Sequence, residues 1–422
     1  MRTLIQGGTV YTGCGFERRD LFIEDGRIAA PRADFAPDEV IDAAGLIVSP
    51  GFIDLHVHLR QPGQEQKETI RSGTMAAAAG GFTTVCAMPN LAPPPDSMEN
   101  LALERRLIEE DAVCRVLPFA TITAGRAGGV PVPLRALAPH CVGFSDDGSG
   151  VQDMAVMERA FIEAAACGAL ISAHCEDMSL IEPGGCVHED YARRHSLPAI
   201  SSASEYRQIE RDIELVRRTG CRYHVCHVSA RESVELVRAA KAEGLPVSCE
   251  ITPHHALLCQ DDMADDGRFK MNPPLRSRED MLALREALRD GTADAIATDH
   301  APHLAEEKSR GLRGSAMGVV GLETAFAVLN TGLVETGELS LERLLELLTF
   351  GPAGVIRVPC GWEAGAPADI VLLDRQGKGV VDSSRFFSKG RSTPFEGMNT
   401  AGRIICTLVG GKPAFKTGEA KR

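Results

Sequence analysis

A chain of 422 residues, 44% of them hydrophobic, can bury one large domain of about 250 to 300 residues with a lesser one beside it. Its formal net charge of -13 and pI near 5.5 exclude the basic footprint that nucleic acid or an anionic membrane surface needs, which leaves small-molecule chemistry. The 13 cysteines form no C-x-x-C pairs, and neither a membrane-length apolar run nor an apolar N-terminal leader is present, so the expectation is a cytoplasmic chain with reduced thiols.

Residues 1–50 ("TLIQGGTVYTG", "RDLFIEDGRIAA") are short strand patterns separated by Gly turns. Eight apolar or β-branched runs follow: "LIVSPGFIDLHVH", "FTTVCAM", "CRVLPFATIT", "CVGFSD", "LISAHC", "RYHVCHV", "VSCEIT" and "AIATDHAP". Between them lie stretches of helical spacing, such as "SASEYRQIERDIELVRRTG", several ending at glycine. Strand then helix, eight times over, predicts an α/β protein with a (β/α)8 TIM barrel over 51–358. The final segment, 359–422, returns to short strands ("ADIVLLD", "TAGRIICTLVGGKPAF") and is expected to join 1–50 in a small β-sandwich domain.

Barrels of this kind place their chemistry at the C-terminal ends of the strands. Here run one ends in His56 and His58, run four in Asp146 and Asp147, run five in His174, run six in His227 and run eight in Asp299. His56 and His58 alternate in an extended chain and so share a face. Alone, that pair is either half a metal site or two hydrogen-bonded histidines; with the other strand ends it suits one or two divalent ions of the zinc type. His254 and His255 read as supporting or structural, and His140, His188, His195 and His224 as structural or surface residues. His300 is expected to turn away from Asp299. Cys175 and Cys226 adjoin ligand candidates, but neighbours in a strand face opposite ways, so they read as buried apolar-type cysteines.

"DLHVHLRQP" from Asp54 to Pro62 and "ATDHAPHLAEEK" from Ala297 to Lys308 resemble the two signature motifs of the dihydroorotase family in the amidohydrolase superfamily. "MPN" at 88–90, "SDDG" at 145–148 and "MNPPLR" at 271–276 extend the likeness over nearly the whole chain. The resemblance implies that His56, His58 and Asp299 bind one zinc and that His174 and His227 bind a second. An acidic bridge would join them, assigned to Asp147 with Asp146 as the fallback. Many superfamily members use a carboxylated lysine there; no lysine lies near run four, and "FSDDG" resembles the long-chain bacterial enzymes that use aspartate. Asp299 then doubles as proton shuttle.

The same resemblance places Arg60, Asn90 and His303 at a substrate carboxylate, and Asn272, Met317 and Gly318 around a pyrimidine ring. Arg60 follows His58 by two positions, shares its face and carries a fork suited to a carboxylate. The implied activity is the interconversion of N-carbamoyl-L-aspartate and L-dihydroorotate in pyrimidine synthesis. Two alternatives stand beside it. One is a hydantoinase, allantoinase or dihydropyrimidinase, relatives that generally carry the bridging lysine; the other is a metal-less homologue that only supports aspartate transcarbamoylase, from which ligand histidines are lost. The resemblance also allows a homodimer and an aspartate transcarbamoylase complex.

Overall fold

The computed structural model describes residues 1–32 and 34–418. Eight parallel strands form the central sheet: β1 (Phe52–Val57), β2 (Phe82–Ala87), β3 (Arg115–Ala120), β4 (Gly143–Phe144), β5 (Leu170–Ala173), β6 (Arg222–Val225), β7 (Val247–Ile251) and β8 (Ala295–Ile296). They are hydrogen-bonded in chain order. The ring closes where the His58 amide donates to the His300 carbonyl at 2.9 Å, just past β1 and β8. The Asp54 carboxylate reinforces that seam, accepting from the Thr298 amide at 3.1 Å and its hydroxyl at 2.6 Å. Every residue of β1 and β2 is buried, as a wall with side chains inside and helices outside demands.

The helices pack outside, and their ends follow from local chemistry. The helix Ser202–Thr219 starts on the Ser201 hydroxyl, which accepts from the Ser204 amide, and stops at Gly220 in the left-handed region (φ 67°). In "GTMAAAAGG", Ala76, Ala77 and Ala78 are fully buried, so the helix Ile70–Ala79 lies close on the barrel.

Two corrections to the element pattern emerge. The first run is two strands, since Ile47–Pro50 pairs antiparallel with Ile370–Leu373 of the smaller domain before the chain enters β1. After β5 the chain inserts a two-stranded ribbon (Val187–His188 with Ala199–Ile200) around the helix Glu189–His195 before the expected helix begins. Beside the barrel stand a four-stranded and a six-stranded sheet. Ile5, Val10, Ile23 and Val48 from the N-terminal segment pack there with Ile370, Leu372 and Leu408 from the C-terminal one, in a core of their own.

Candidate active site

At the C-terminal mouth of the barrel a cavity of about 270 Å³ is lined by His58, Arg60, Asn90, Asp147, Gly148, His174, His227, Asn272, Asp299, Ala301, His303, Met317 and Gly318. Of the metal and substrate residues assigned in the sequence, His56 and the fallback Asp146 are absent from that lining; His56 is fully buried, with Nε2 3.3 Å from Asp147 Oδ1. Larger clefts, of about 470, 680 and 290 Å³, lie away from these histidines.

Three histidines are oriented by one outward hydrogen bond each. His56 Nδ1 meets Glu250 Oε1 at 3.0 Å, His58 Nδ1 meets Asn90 Oδ1 at 2.8 Å, and His174 Nε2 meets Glu176 Oε2 at 3.4 Å. Carboxylate and amide oxygens accept, so those ring nitrogens carry the protons and the opposite nitrogens turn inward with lone pairs. His58 Nε2 lies 3.2 Å from Asp299 Oδ1, and His174 Nδ1 lies 3.0 Å from His227 Nε2 and 3.7 Å from Asp147 Oδ1. His56 Nε2, Asp147 Oδ1 and His227 Nδ1 are buried polar atoms with no hydrogen-bond partner. His56, His58 and Asp299 offer ligand atoms within 4.8 Å of one another, as do His56, Asp147 and His227. Buried imidazole and carboxylate lone pairs left without a donor are what a divalent cation would satisfy.

The paired aspartates diverge. Asp146 is consumed by structure: its carboxylate accepts from the Ile122 amide at 2.8 Å, the Thr123 amide at 3.1 Å and the Thr123 hydroxyl. Asp147 faces the histidines instead. Gly148, with φ 86°, turns the chain immediately after it, and Arg126 Nη2 holds the Asp147 carbonyl at 2.5 Å. Burial raises the Asp147 carboxyl, but His56, His227 and His58 outweigh it and hold it well below the ordinary range. At Asp299 burial is likewise outweighed by His58, His56 and His227. Both carboxylates are therefore ionised at neutral pH.

Arg60 brings a cation to the same lining. Arg60 is buried, with its guanidinium pushed down by that burial only to about 10, and its Nε donates to the Pro302 carbonyl at 3.3 Å. His303 Nε2 donates to the Met317 carbonyl at 2.7 Å, leaving Nδ1 to accept from Lys67 at 3.4 Å. Burial first, then Arg60, Lys67 and Lys308, lower His303 to about 4, so it is neutral at physiological pH. The loop carrying these groups folds as two short helices, Ala305–Lys308 and Gly311–Gly314. Lys308 pins it, donating to the carbonyls of Lys270 (2.9 Å), Ala316 (2.7 Å) and Gly318 (2.7 Å).

Several participants escaped sequence reasoning. Glu250 links His56 to His224, whose Nε2 lies 3.0 Å from Glu250 Oε2, so His224 belongs to the floor of the site and not to the surface. A charged residue inside the otherwise apolar "VSCEI" was the available signal. Glu176 follows His174 by two positions, the spacing that singled out Arg60 after His58. His300 turns from Asp299 to a buried Glu68 at 3.4 Å. His255 is used by Thr252 and the Pro273 carbonyl. Cys175 and Cys226 are buried free thiols, the latter pushed up to about 12 by burial.

A parallel barrel whose strand ends gather four imidazoles and two carboxylates around one cavity suits metal-dependent hydrolysis, and its likenesses make the chain a metal-dependent cyclic amidohydrolase. L-hydantoinase (dihydropyrimidinase) from Arthrobacter aurescens has the same fold, with a TM-score of 0.89 and 27% identity over 100% of this chain and 97% of that one. Dihydropyrimidinase from Brevibacillus agri follows with a TM-score of 0.86 and 23% identity, covering 99% and 95%, a likeness of fold alone. Residues 45–233 match the family model described as dihydro-orotase-like. Dihydroorotase of Shouchella clausii is 48% identical over 99% of this chain and 98% of its own, and that of Halalkalibacterium halodurans 46% over 100% of both. The chain belongs to the dihydroorotase family.

Proposed function

We propose that the chain is a zinc-dependent dihydroorotase of the cytoplasm, closing N-carbamoyl-L-aspartate to L-dihydroorotate reversibly for pyrimidine synthesis. The observation that carries this reading is the polarity of the cavity: buried carboxylates and imidazoles line it together with Arg60, Asn90 and His303. The first set suits cyclic amide chemistry, and the second suits an exocyclic carboxylate. Residues 51–358 would hold the chemistry, with 1–50 and 359–422 as the companion β-domain.

In this reading His56, His58 and Asp299 would hold one ion and His174 and His227 a second, with Asp147 as the shared acidic ligand. Bound zinc supplies an acidified water and a polarised carbonyl. The protein supplies the rest. Asp299, ionised and lining the cavity, takes a proton from the attacking water and returns it to the ring nitrogen as the amide opens. Arg60 and the Asn90 amide hold the exocyclic carboxylate with charge-assisted bonds, and neutral His303 orders the Met317 backbone beside the ring.

The test is turnover of metal-replete protein on L-dihydroorotate and on dihydrouracil, which lacks the carboxylate. Dihydrouracil should be poorer by about 10⁴-fold in kcat/KM, the scale at which a site built for a polar group rejects its absence. Arg60→Ala should cripple the first substrate and narrow the gap. Comparable wild-type turnover of the two would make the chain a dihydropyrimidinase-like enzyme instead.

A further inference from the structure

We propose that Glu176 is a positioning residue that fixes the orientation of the Asn272 amide, so that the pocket presents a carbonyl acceptor to a ring N–H of the substrate. Glu176 does not line the cavity, whereas Asn272 does. Its carboxylate accepts from Asn272 Nδ2 at 2.9 Å through Oε1 and from His174 Nε2 at 3.4 Å through Oε2. It is itself anchored on both sides: its amide donates to Gln208 Oε1 at 3.0 Å, and its carbonyl accepts from Gln152 Nε2 at 2.8 Å.

Both carboxylate oxygens of Glu176 face nitrogens, Asn272 Nδ2 and His174 Nε2, so the nitrogen end of the Asn272 amide is the end turned to Glu176. Asn272 therefore commits its NH₂ to Glu176 and leaves its oxygen for the cavity. Asn90 is the mirror case. Its oxygen accepts from His58 Nδ1, which leaves its NH₂ for the cavity beside Arg60. The two asparagines thus offer opposite groups, a donor for the exocyclic carboxylate and an acceptor for an amide N–H. A cyclic amide bearing both fits in one orientation. The inference deepens the dihydroorotase reading and rests on it.

The experiment is a compensation series on dihydroorotate with metal-replete protein, zinc content being measured for each variant. Glu176→Gln offers one acceptor where two donors, Asn272 and His174, require it, so KM should rise about 10- to 100-fold, the range for a lost or opposed polar contact, with a smaller change in kcat. Adding Asn272→Asp restores matched pairs: the introduced amide accepts from His174 and donates to the introduced carboxylate, whose other oxygen faces the ring. KM of the double variant should return to within about fivefold of wild type. As a second measurement, Glu176→Gln should add less than about twofold to KM in an Asn272→Ala background. Wild-type KM in Glu176→Gln, or a double variant no better than the single, would overturn the role of Glu176. An inactive wild-type enzyme on dihydroorotate would overturn the functional reading itself, before any variant is compared.

Discussion

Three polar residues of the mouth, Arg60 (φ 62°), His227 (φ 32°) and Asp299 (φ 48°), sit in the left-handed region that non-glycine residues rarely adopt. Such strain, about 1 to 3 kcal/mol each, persists where the surroundings over-determine the backbone. At Asp299 the neighbours do so, with Thr298 bound to Asp54 and the His300 carbonyl bound to His58. In the proposed mechanism Asp299→Asn keeps an oxygen but loses the base, so kcat should fall at least about 10²-fold while metal content changes little. Near-normal kcat in that variant would assign the proton transfer elsewhere. Asp147→Ala should deplete zinc far more than Asp146→Ala, measured by elemental analysis; the reverse ranking would exchange their roles. Period-two alternation made His56 and His58 legible together. It cannot separate two adjacent aspartates, because which one meets the histidines depends on backbone amides at 122 and 123 that are distant in sequence. The outward partners Glu250 and Glu176 were hidden for a related reason: their meaning lies in the imidazole they touch.

The elements that shape the mouth are loops, and they titrate and unfold in ways the strands do not. His303 is the clearest case. Its folded pKa of about 4 lies below the unfolded value of about 6.5, so between those values the unfolded chain binds more protons. Its contribution to stability is therefore full above pH 6.5 and is lost as pH falls through that window. Urea titrations between pH 7 and 4 should show His303→Gln losing less stability on acidification than wild type; identical slopes would contradict the assignment. A second device joins the C-terminal segment to the barrel mouth. The Ser388 hydroxyl donates to the buried Glu68 at 2.5 Å, and Glu68 also receives His300. Ser388→Ala should cost about 1 to 3 kcal/mol in chemical unfolding, since a buried carboxylate loses a donor. This second device was not readable from the chain, because Glu68 and Ser388 are 320 residues apart and carry no shared pattern. The strands were readable, since apolar runs of four to eight residues bounded by glycine have few other uses.

For the whole molecule, the proposed reaction sets its own pH dependence. N-carbamoyl-aspartate carries two carboxylates and dihydroorotate one, so ring closure consumes a proton and acid must favour the ring. Hydrolysis needs an ionised nucleophile and should quicken as pH rises, whereas closure should prefer acidic conditions. Parallel rate profiles in the two directions would contradict the scheme. The seam of the barrel bears on how such an enzyme is made. Asp54 waits for Thr298, 244 residues later, and Glu68 waits for Ser388. A ribosome releases the chain from its N-terminus, so the histidines of β1 emerge long before Asp299 exists to meet them, and contacts of such separation form late. Loading with metal then belongs to the end of biosynthesis. A stalled nascent chain that stops short of residue 299 should fail to retain zinc through a chelating wash, and cells starved of zinc should accumulate full-length chains whose mouths gape to proteases between β8 and the C-terminal clamp.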